Sequence, residues 1–172
     1  AAFTAVNRID DFAYTPEQNI AHSMTALMAQ NKGAGKKNRM QEGFRCGMVL
    51  ESIYGIFIFL VCFIFAKPLM CLFVQDEEVI MHGVTYLHLI SIMYILPAFT
   101  NGIQGFFRGI GDLKITLISS LVNMTVRVIV AAPLVFSLHL GIEALPYSYL
   151  AGWIGMLMAE LPLLIRTYKA YE

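Results

Sequence analysis

Charged residues are scarce in this chain, and their scarcity excludes several classes of protein. Only 14% of the 172 residues are Asp, Glu, Lys or Arg, whereas a typical soluble domain carries about 25%. The 12 basic and 12 acidic side chains cancel, so the chain lacks the positive surplus that nucleic-acid binding requires. A hydrophobic content of 58% excludes intrinsic disorder and leaves too little polar surface for a soluble domain. The composition predicts a polytopic membrane protein.

Catalytic and metal-binding patterns are also missing. Cys46, Cys62 and Cys71 lie in or beside apolar runs, at spacings that match no metal-binding motif. The glycine-containing loops at 33–36 and 109–112 lack the preceding strand and the GxxxxGK[ST] spacing of a phosphate-binding loop. We expect these glycines to end helices instead, in the left-handed conformation of a helix C-terminus. The sequence therefore predicts no enzyme, no metal site and no cofactor.

Five segments of membrane-spanning length follow one another along the chain. A helix of about 20 residues crosses the hydrocarbon core, and the absence of water there requires each spanning segment to satisfy its own backbone polar groups. The sequence thus predicts an all-α fold, a polytopic membrane bundle of five transmembrane helices. The predicted helices cover residues 1–31, 44–66, 79–108, 114–138 and 145–166.

The first segment is more polar than the others, and a plain hydropathy scan would miss it. Apolar residues recur at helical spacing on one side of it, and polar residues follow the other side. A charged side chain in the middle of a spanning helix costs about 2.5–3.5 kcal/mol, so each one needs a reason. We expect three of its polar residues to line a cavity: Glu17, Gln18 and His22.

Simpler explanations exist for some polar residues of this segment. Asp10 and Asp11 are further candidates for the cavity, or they are hydrated at the outer interface. His22 could shuttle protons, since the ordinary titration range of histidine lies near physiological pH. A histidine that donates a hydrogen bond between helices explains the same position.

The third segment carries a second polar stripe. Tyr94, Pro97, Asn101, Gln104 and Arg108 follow one another at steps of three and four, which places them on one helix face. Proline removes a backbone donor, so the carbonyl four residues earlier loses its usual partner. Transporters place such breaks beside substrate or ion sites, and a kink that serves packing alone is the alternative. We expect the first four residues to line the cavity, with Arg108 at its mouth.

Three more charged residues lie within apolar surroundings, at Glu51, Arg127 and Glu160. Arg127 can reach water by snorkelling only near an interface. An interhelical ion pair with Glu51 or Glu160 would satisfy it otherwise, and such pairs are usually structural.

The charges of the loops predict the orientation. Lys and Arg concentrate after the first and third segments and in the C-terminal tail, whereas residues 139–146 contain neither. The positive-inside rule therefore places the first loop and the C-terminus in the cytoplasm. The first helix then starts outside, and we expect further chain upstream of it.

Two stretches resemble the multidrug and toxic compound extrusion (MATE) family. They are TALMAQNKGAGKKNRMQEG at 25–43 and PAFTNGIQGFFRGIGDLKITL at 97–117, with the AQNxGAGK and FRGxGD loops as their most specific parts. MATE transporters have twelve helices in two lobes. The resemblance implies that residues 1–172 form most of the C-terminal lobe, helices eight to twelve.

The resemblance also implies a function. It predicts a multi-pass protein of the cell membrane that exports organic cations or other amphipathic compounds by proton or sodium antiport, with alternating access between the lobes. The implied partners are the lipid bilayer, the N-terminal lobe and an amphipathic small molecule, without nucleic acid. In the family, helices eight and ten help to line the cavity, and they correspond to the two segments with polar stripes.

The coupling cation is expected to bind outside these residues. One branch of the family uses carboxylates on helices seven and ten, but residues 79–108 have no acid where the second would fall, near Pro97. The resemblance is closer to the branch that uses an aspartate of the N-terminal lobe. Two other functions remain: a lipid-linked saccharide flippase of the same superfamily, which needs a more cationic cavity to hold a pyrophosphate, and a non-transporting membrane scaffold subunit.

Overall fold

The structure is a computed structural model that describes residues 2–136 and 144–169. Within these ranges all regular structure is helical, which confirms the all-α prediction. The end of the predicted fourth helix and most of the non-basic stretch 139–146 lie outside the described residues. The helices are α1 (Ala2–Gly33), α2 (Lys37–Ile64), α3 (Ala66–Cys71), α4 (Glu77–Ser91), α5 (Ile95–Gly109), α6 (Leu113–Phe136) and α7 (Ala144–Lys169).

The lengths and compositions of the helices suit a membrane. By these criteria α2, α6 and α7 are each long and apolar enough to cross a membrane, and the bent pair of α4 and α5 meets the same criteria when it is taken as one span. Helix α1 has 32 residues, about 48 Å at 1.5 Å per residue, so it is long enough to cross a membrane. Its polar residues make it too hydrophilic to be counted among the spanning helices by hydropathy. Helices α2 and α6 expose rows of large apolar side chains, such as Ile53, Phe57, Leu121 and Ile129. These rows are the surfaces expected to face lipid.

The predicted third helix is two helices. Helices α4 and α5 meet at residues 92–94 with a bend of 46°, so the break comes before Pro97, which lies in the first turn of α5. Proline is well tolerated there because the first backbone N–H groups of a helix have no partner within it. The Met93 carbonyl accepts the Leu96 N–H at 2.9 Å. The prediction that Pro97 frees the carbonyl four residues earlier is therefore wrong.

Helix α5 lies at the centre of the bundle, in contact with α1, α2, α6 and α7. Its glycines allow close helix approach: a Cβ added at Gly105 would lie 2.7 Å from the Ala21 carbonyl oxygen of α1. On the α2 side, a Cβ added at Gly55 would lie 3.1 Å from the Ala98 Cβ. Small residues at such crossings bring backbones together.

Two glycines end helices as predicted. Gly35 follows α1 with φ of 66°, and Gly111 follows α5 with φ of 84°. This left-handed conformation favours glycine because it has no Cβ. Both glycines lie in the loops that carry the family resemblance, so part of that resemblance reflects turn geometry.

Candidate transport cavity

An open cavity of about 290 Å³ lies between α1, α5, α6 and α7. Four side-chain amides line it, together with hydroxyl groups, aromatic rings and two thioethers. None of its lining residues is charged, which suits a solute with a large apolar part and a few polar groups. The lining residues are Tyr14, Gln18, Pro97, Thr100, Asn101, Gln104, Ser120, Asn123, Met124, Trp153 and Met156.

Four residues selected from sequence lie in this lining: Gln18, Pro97, Asn101 and Gln104. The polar stripes of α1 and α5 therefore meet at one cavity, as their spacing indicated. The kink of the third segment also borders this cavity, because Pro97 follows the bend by one turn.

The residues of α6 and α7 that line the cavity were not predicted from the sequence. Ser120 and Asn123 of α6 were not selected, nor was Trp153 of α7. A signal was present in α6, because Ser120, Asn123 and Arg127 follow one another at steps of three and four. This stripe lies in an apolar segment and escaped notice.

Glu17 lies outside the lining, although its neighbour Gln18 belongs to it. The Glu17 side chain is completely buried in the packed face of α1. Its carboxylate is close to the Asn101 amide of α5 and within electrostatic range of Glu51 on α2. Neither carboxylate has a hydrogen-bond partner.

The remaining candidates occupy different places. Tyr94 is buried and donates its hydroxyl to Asp10, which ties the α4–α5 junction to α1. The Tyr94 ring packs edge-on against cavity-lining Tyr14 at 5.6 Å between centroids, so Tyr94 supports the cavity from behind. Asp11 and His22 are exposed and do not line the cavity.

Arg108 lies at the end of α5, outside the cavity. Its Nε donates to the Gln104 carbonyl oxygen of the preceding turn at 3.3 Å. The side-chain amide of Gln104 donates to Glu160 Oε1 of α7 at 3.4 Å. Glu160 is fully buried, and its second oxygen has no partner.

Arg127 is held by aromatic rings. Its guanidinium carbon lies 4.5 Å from the Tyr149 ring centroid and 5.0 Å from that of Trp153. The predicted ion pair with Glu51 or Glu160 is therefore wrong. Helix α7 places two aromatic faces beside α6, and a cation on such faces is stabilised by the ring quadrupole without a carboxylate.

A comparison with known families identifies the chain's relationship. The MatE family profile matches residues 1–134. The chain belongs to the MatE family. It is accordingly a multi-pass membrane protein of a family of multidrug transporters, which confirms the resemblance found in the loops.

Individual relatives of this MatE chain are distant in sequence. It is 24% identical over 150 residues to the probable multidrug resistance protein NorM of Thermotoga maritima, which covers 87% of the chain and 31% of that protein. The chain thus spans about a third of the length of this relative.

Solved structures share the fold. A crystal structure of a MATE protein in the bent conformation superposes with a TM-score of 0.92 at 15% identity, over 99% of this chain and 38% of that one. An outward-facing multidrug resistance MATE family transporter of the MOP superfamily superposes with a TM-score of 0.88 at 16% identity, with the same coverage. Among the residues described here, no three His, Cys, Asp or Glu side chains are grouped to hold a metal ion.

Proposed function

We propose that the complete protein is a secondary transporter that exports organic cations or other amphipathic compounds in exchange for protons or sodium ions. The observation that carries this proposal is the open cavity on one side of the bundle, lined by residues of α1, α5, α6 and α7. Membership of the MatE family supports the same conclusion.

The lining suits amphipathic cations. The aromatic faces of Tyr14 and Trp153 contact apolar or cationic groups, and the amides of Asn101, Gln104 and Asn123 orient polar ones.

Transport by this protein requires a second lobe. The cavity opens at one side of the described bundle, and the N-terminal lobe would complete it there. Alternating access would rock the two lobes around this cavity, and a relative in fold solved in an outward-facing conformation represents one of the two required states. The basic first loop supports a cytoplasmic C-terminus in the cell membrane. The coupling ion of this exchange would bind an aspartate of the N-terminal lobe.

A saccharide flippase receives less support from the lining. A pyrophosphate headgroup is best held by Arg or Lys, and the described lining of the cavity contains neither. Arg127 of α6 follows the lining residue Asn123 by one turn, but its guanidinium already packs on Tyr149 and Trp153.

Flux into liposomes tests the proposal. The complete protein is reconstituted, and uptake of a fluorescent organic cation is followed under an imposed proton gradient and then a sodium gradient. We expect accumulation under one gradient, and about tenfold slower uptake in Gln104→Leu, since losing one polar contact of about 1.4 kcal/mol corresponds to a factor of ten.

The matched control is Thr85→Ala, which removes an exposed hydroxyl of α4 that donates only to the Met81 carbonyl. This variant should transport like the wild type. Folded protein without flux under either gradient would contradict the proposal. A lipid-linked saccharide would be the next substrate to test, and failure there would favour the scaffold function.

A further inference from the structure

Another open cavity, of about 980 Å³, lies where the α1–α2 loop, the α5–α6 loop and the last turns of α7 meet. Its described lining contains four basic side chains against a single carboxylate, that of Asp112, so an excess of three positive charges surrounds it. The basic residues are Lys32, Lys37, Lys114 and Arg166. They come from four different helices, and only the fold brings them together.

Packing holds the elements around this cavity in place. The Lys32 Nζ donates to the Ile110 carbonyl oxygen, which ties the end of α1 to the end of α5. In the last turn of α7, the Tyr168 ring packs against Phe44 of α2 at 5.7 Å and against Phe106 of α5 at 6.4 Å between centroids. The basic side chains are therefore carried by backbone segments that are fixed against one another.

The charge of this lining favours an anionic ligand. Lys37, Lys114 and Arg166 are exposed, so a ligand that enters the cavity can reach them. A cleft lined by charges of one sign raises the local concentration of the opposite ion. Phosphate oxygens are the anionic groups that arginine and lysine hold well, arginine with two parallel hydrogen bonds and lysine as a point charge. The cavity therefore suits a ligand that carries phosphate.

An apolar surface of α6 continues directly from this cavity. Leu117, Ile118 and Leu121 follow Lys114 by three, four and seven residues, which places them on the same helix face. Their side chains are 63%, 52% and 56% exposed, as expected of a surface that faces lipid. A ligand with both phosphate groups and acyl chains would use the basic cavity and this apolar face together, whereas a soluble phosphate compound would use the cavity alone.

We propose that this cavity binds the headgroup of an anionic phospholipid with two phosphate groups, of the cardiolipin type. The phosphates contact Lys37, Lys114 and Arg166, and an acyl chain lies on the exposed face of α6. Two phosphate charges suit an excess of three positive charges better than the single charge of most phospholipids. The positive-inside rule places this end of the bundle in the cytoplasm, and basic pockets on that side of membrane proteins hold such headgroups.

The test measures lipid binding without a gradient or a transported solute, so its result is independent of the proposed transport. The complete protein is purified in mild detergent and titrated with cardiolipin, with phosphatidylcholine, or with the soluble headgroup that remains when cardiolipin is deacylated. Native mass spectrometry counts the bound molecules and gives their affinities. We expect cardiolipin to bind at least about tenfold more tightly than either of the other two ligands.

Two double variants separate the cavity from the general positive charge of this end of the bundle. Lys114→Gln with Arg166→Gln removes two charges of the lining, and the affinity for cardiolipin should fall about 25-fold, since each basic side chain contributes about a factor of five. The matched control is Arg39→Gln with Arg45→Gln, which removes two charges from exposed positions of α2 outside the lining. Its affinity should stay within about twofold of the wild type.

Three results would overturn the proposal. Equal affinities of the wild type for cardiolipin and phosphatidylcholine would show that the cavity does not select an anionic headgroup, whether or not the variants fold. Equal losses in the two double variants would assign the effect to total charge and not to the cavity. A deacylated headgroup that binds as tightly as the intact lipid would show that the ligand is a soluble phosphate compound.

Discussion

The α1–α2–α5 region and the α6–α7 region each contain charged residues within apolar helices, and they accommodate them differently. In α6–α7, Arg127 packs on the faces of Tyr149 and Trp153. In α1–α2–α5, Glu17 and Glu51 are completely buried and their oxygens have no partner. Arg127 therefore has aromatic partners although its Nε forms no hydrogen bond, whereas the two carboxylates form no hydrogen bond among the described residues.

The two regions also differ in which atoms lie opposite their glycines. Gly105 brings α5 against the backbone of α1. In α6–α7, a Cβ added at Gly155 would meet the Val126 side chain at 3.1 Å, and no backbone atom is among the near neighbours. A side chain can change rotamer to make room, but a helix backbone cannot. The first region should therefore be the more sensitive to added volume.

The largest effect is expected from adding a methyl group at the α1–α5 crossing. Gly105→Ala would place a Cβ 2.7 Å from the Ala21 carbonyl oxygen and 3.3 Å from its Cα. We expect a loss of about 3 kcal/mol, at the upper end for overpacking, measured as the free energy of unfolding of the complete protein in mild detergent.

Gly33→Ala is the control for this substitution. A Cβ at Gly33, the last residue of α1, would meet nothing within 4 Å, so this substitution should change the free energy of unfolding little. Equal stability of the two variants would mean that α1 and α5 can separate without penalty, which would remove the contrast between the regions.

A smaller effect is expected from removing the cation of the α6–α7 region. Arg127→Met keeps much of the side-chain length but loses the charge over two rings, which should lower the free energy of unfolding by about 1.5 kcal/mol. The control is Arg45→Met, at an exposed position of α2. A more stable Arg127→Met variant would show that this arginine lowers the free energy of unfolding, as we expect of Glu51.

The smallest effect should have the opposite sign. Glu51→Met replaces a buried, unpartnered carboxyl group with an apolar side chain of similar volume, and we expect a gain of about 1 kcal/mol in the free energy of unfolding. Exposed Glu77→Met should change little. A clear loss of stability in Glu51→Met would reveal a stabilising partner for this carboxylate and would erase the difference between the two regions.

Much of the helix arrangement could be predicted because the bilayer constrains it strongly. Runs of apolar residues of spanning length located α2, α6 and α7, and periodicity alone located the polar α1. The break between α4 and α5 was assigned to Pro97 and instead precedes it. A proline restricts its own turn, but where a helix bends also depends on contacts of distant residues.

The candidate cavity was predicted in part. Residues on the stripes of α1 and α5 were found because steps of three and four put them on one face. The contributions of Ser120, Asn123 and Trp153 were missed, since nothing in the order of residues shows that α6 and α7 close the same cavity. The partner of Arg127 was predicted wrongly for a related reason. A positive charge in an apolar helix suggests a carboxylate partner, and only the packing of α6 against α7 shows that aromatic rings take this place.

Short stretches of the sequence were enough to locate the membrane-spanning segments, to recognise the family and to identify the glycines that end α1 and α5. Hydropathy and backbone conformation are properties of such short segments. Tertiary structure decided the surroundings of each polar side chain. Glu17 and Gln18 are neighbours in sequence, yet Glu17 is buried near Glu51 and Gln18 lines the cavity. Successive residues of a helix point about 100° apart, and how far a helix is rotated against its neighbours is set by the packing of the whole bundle.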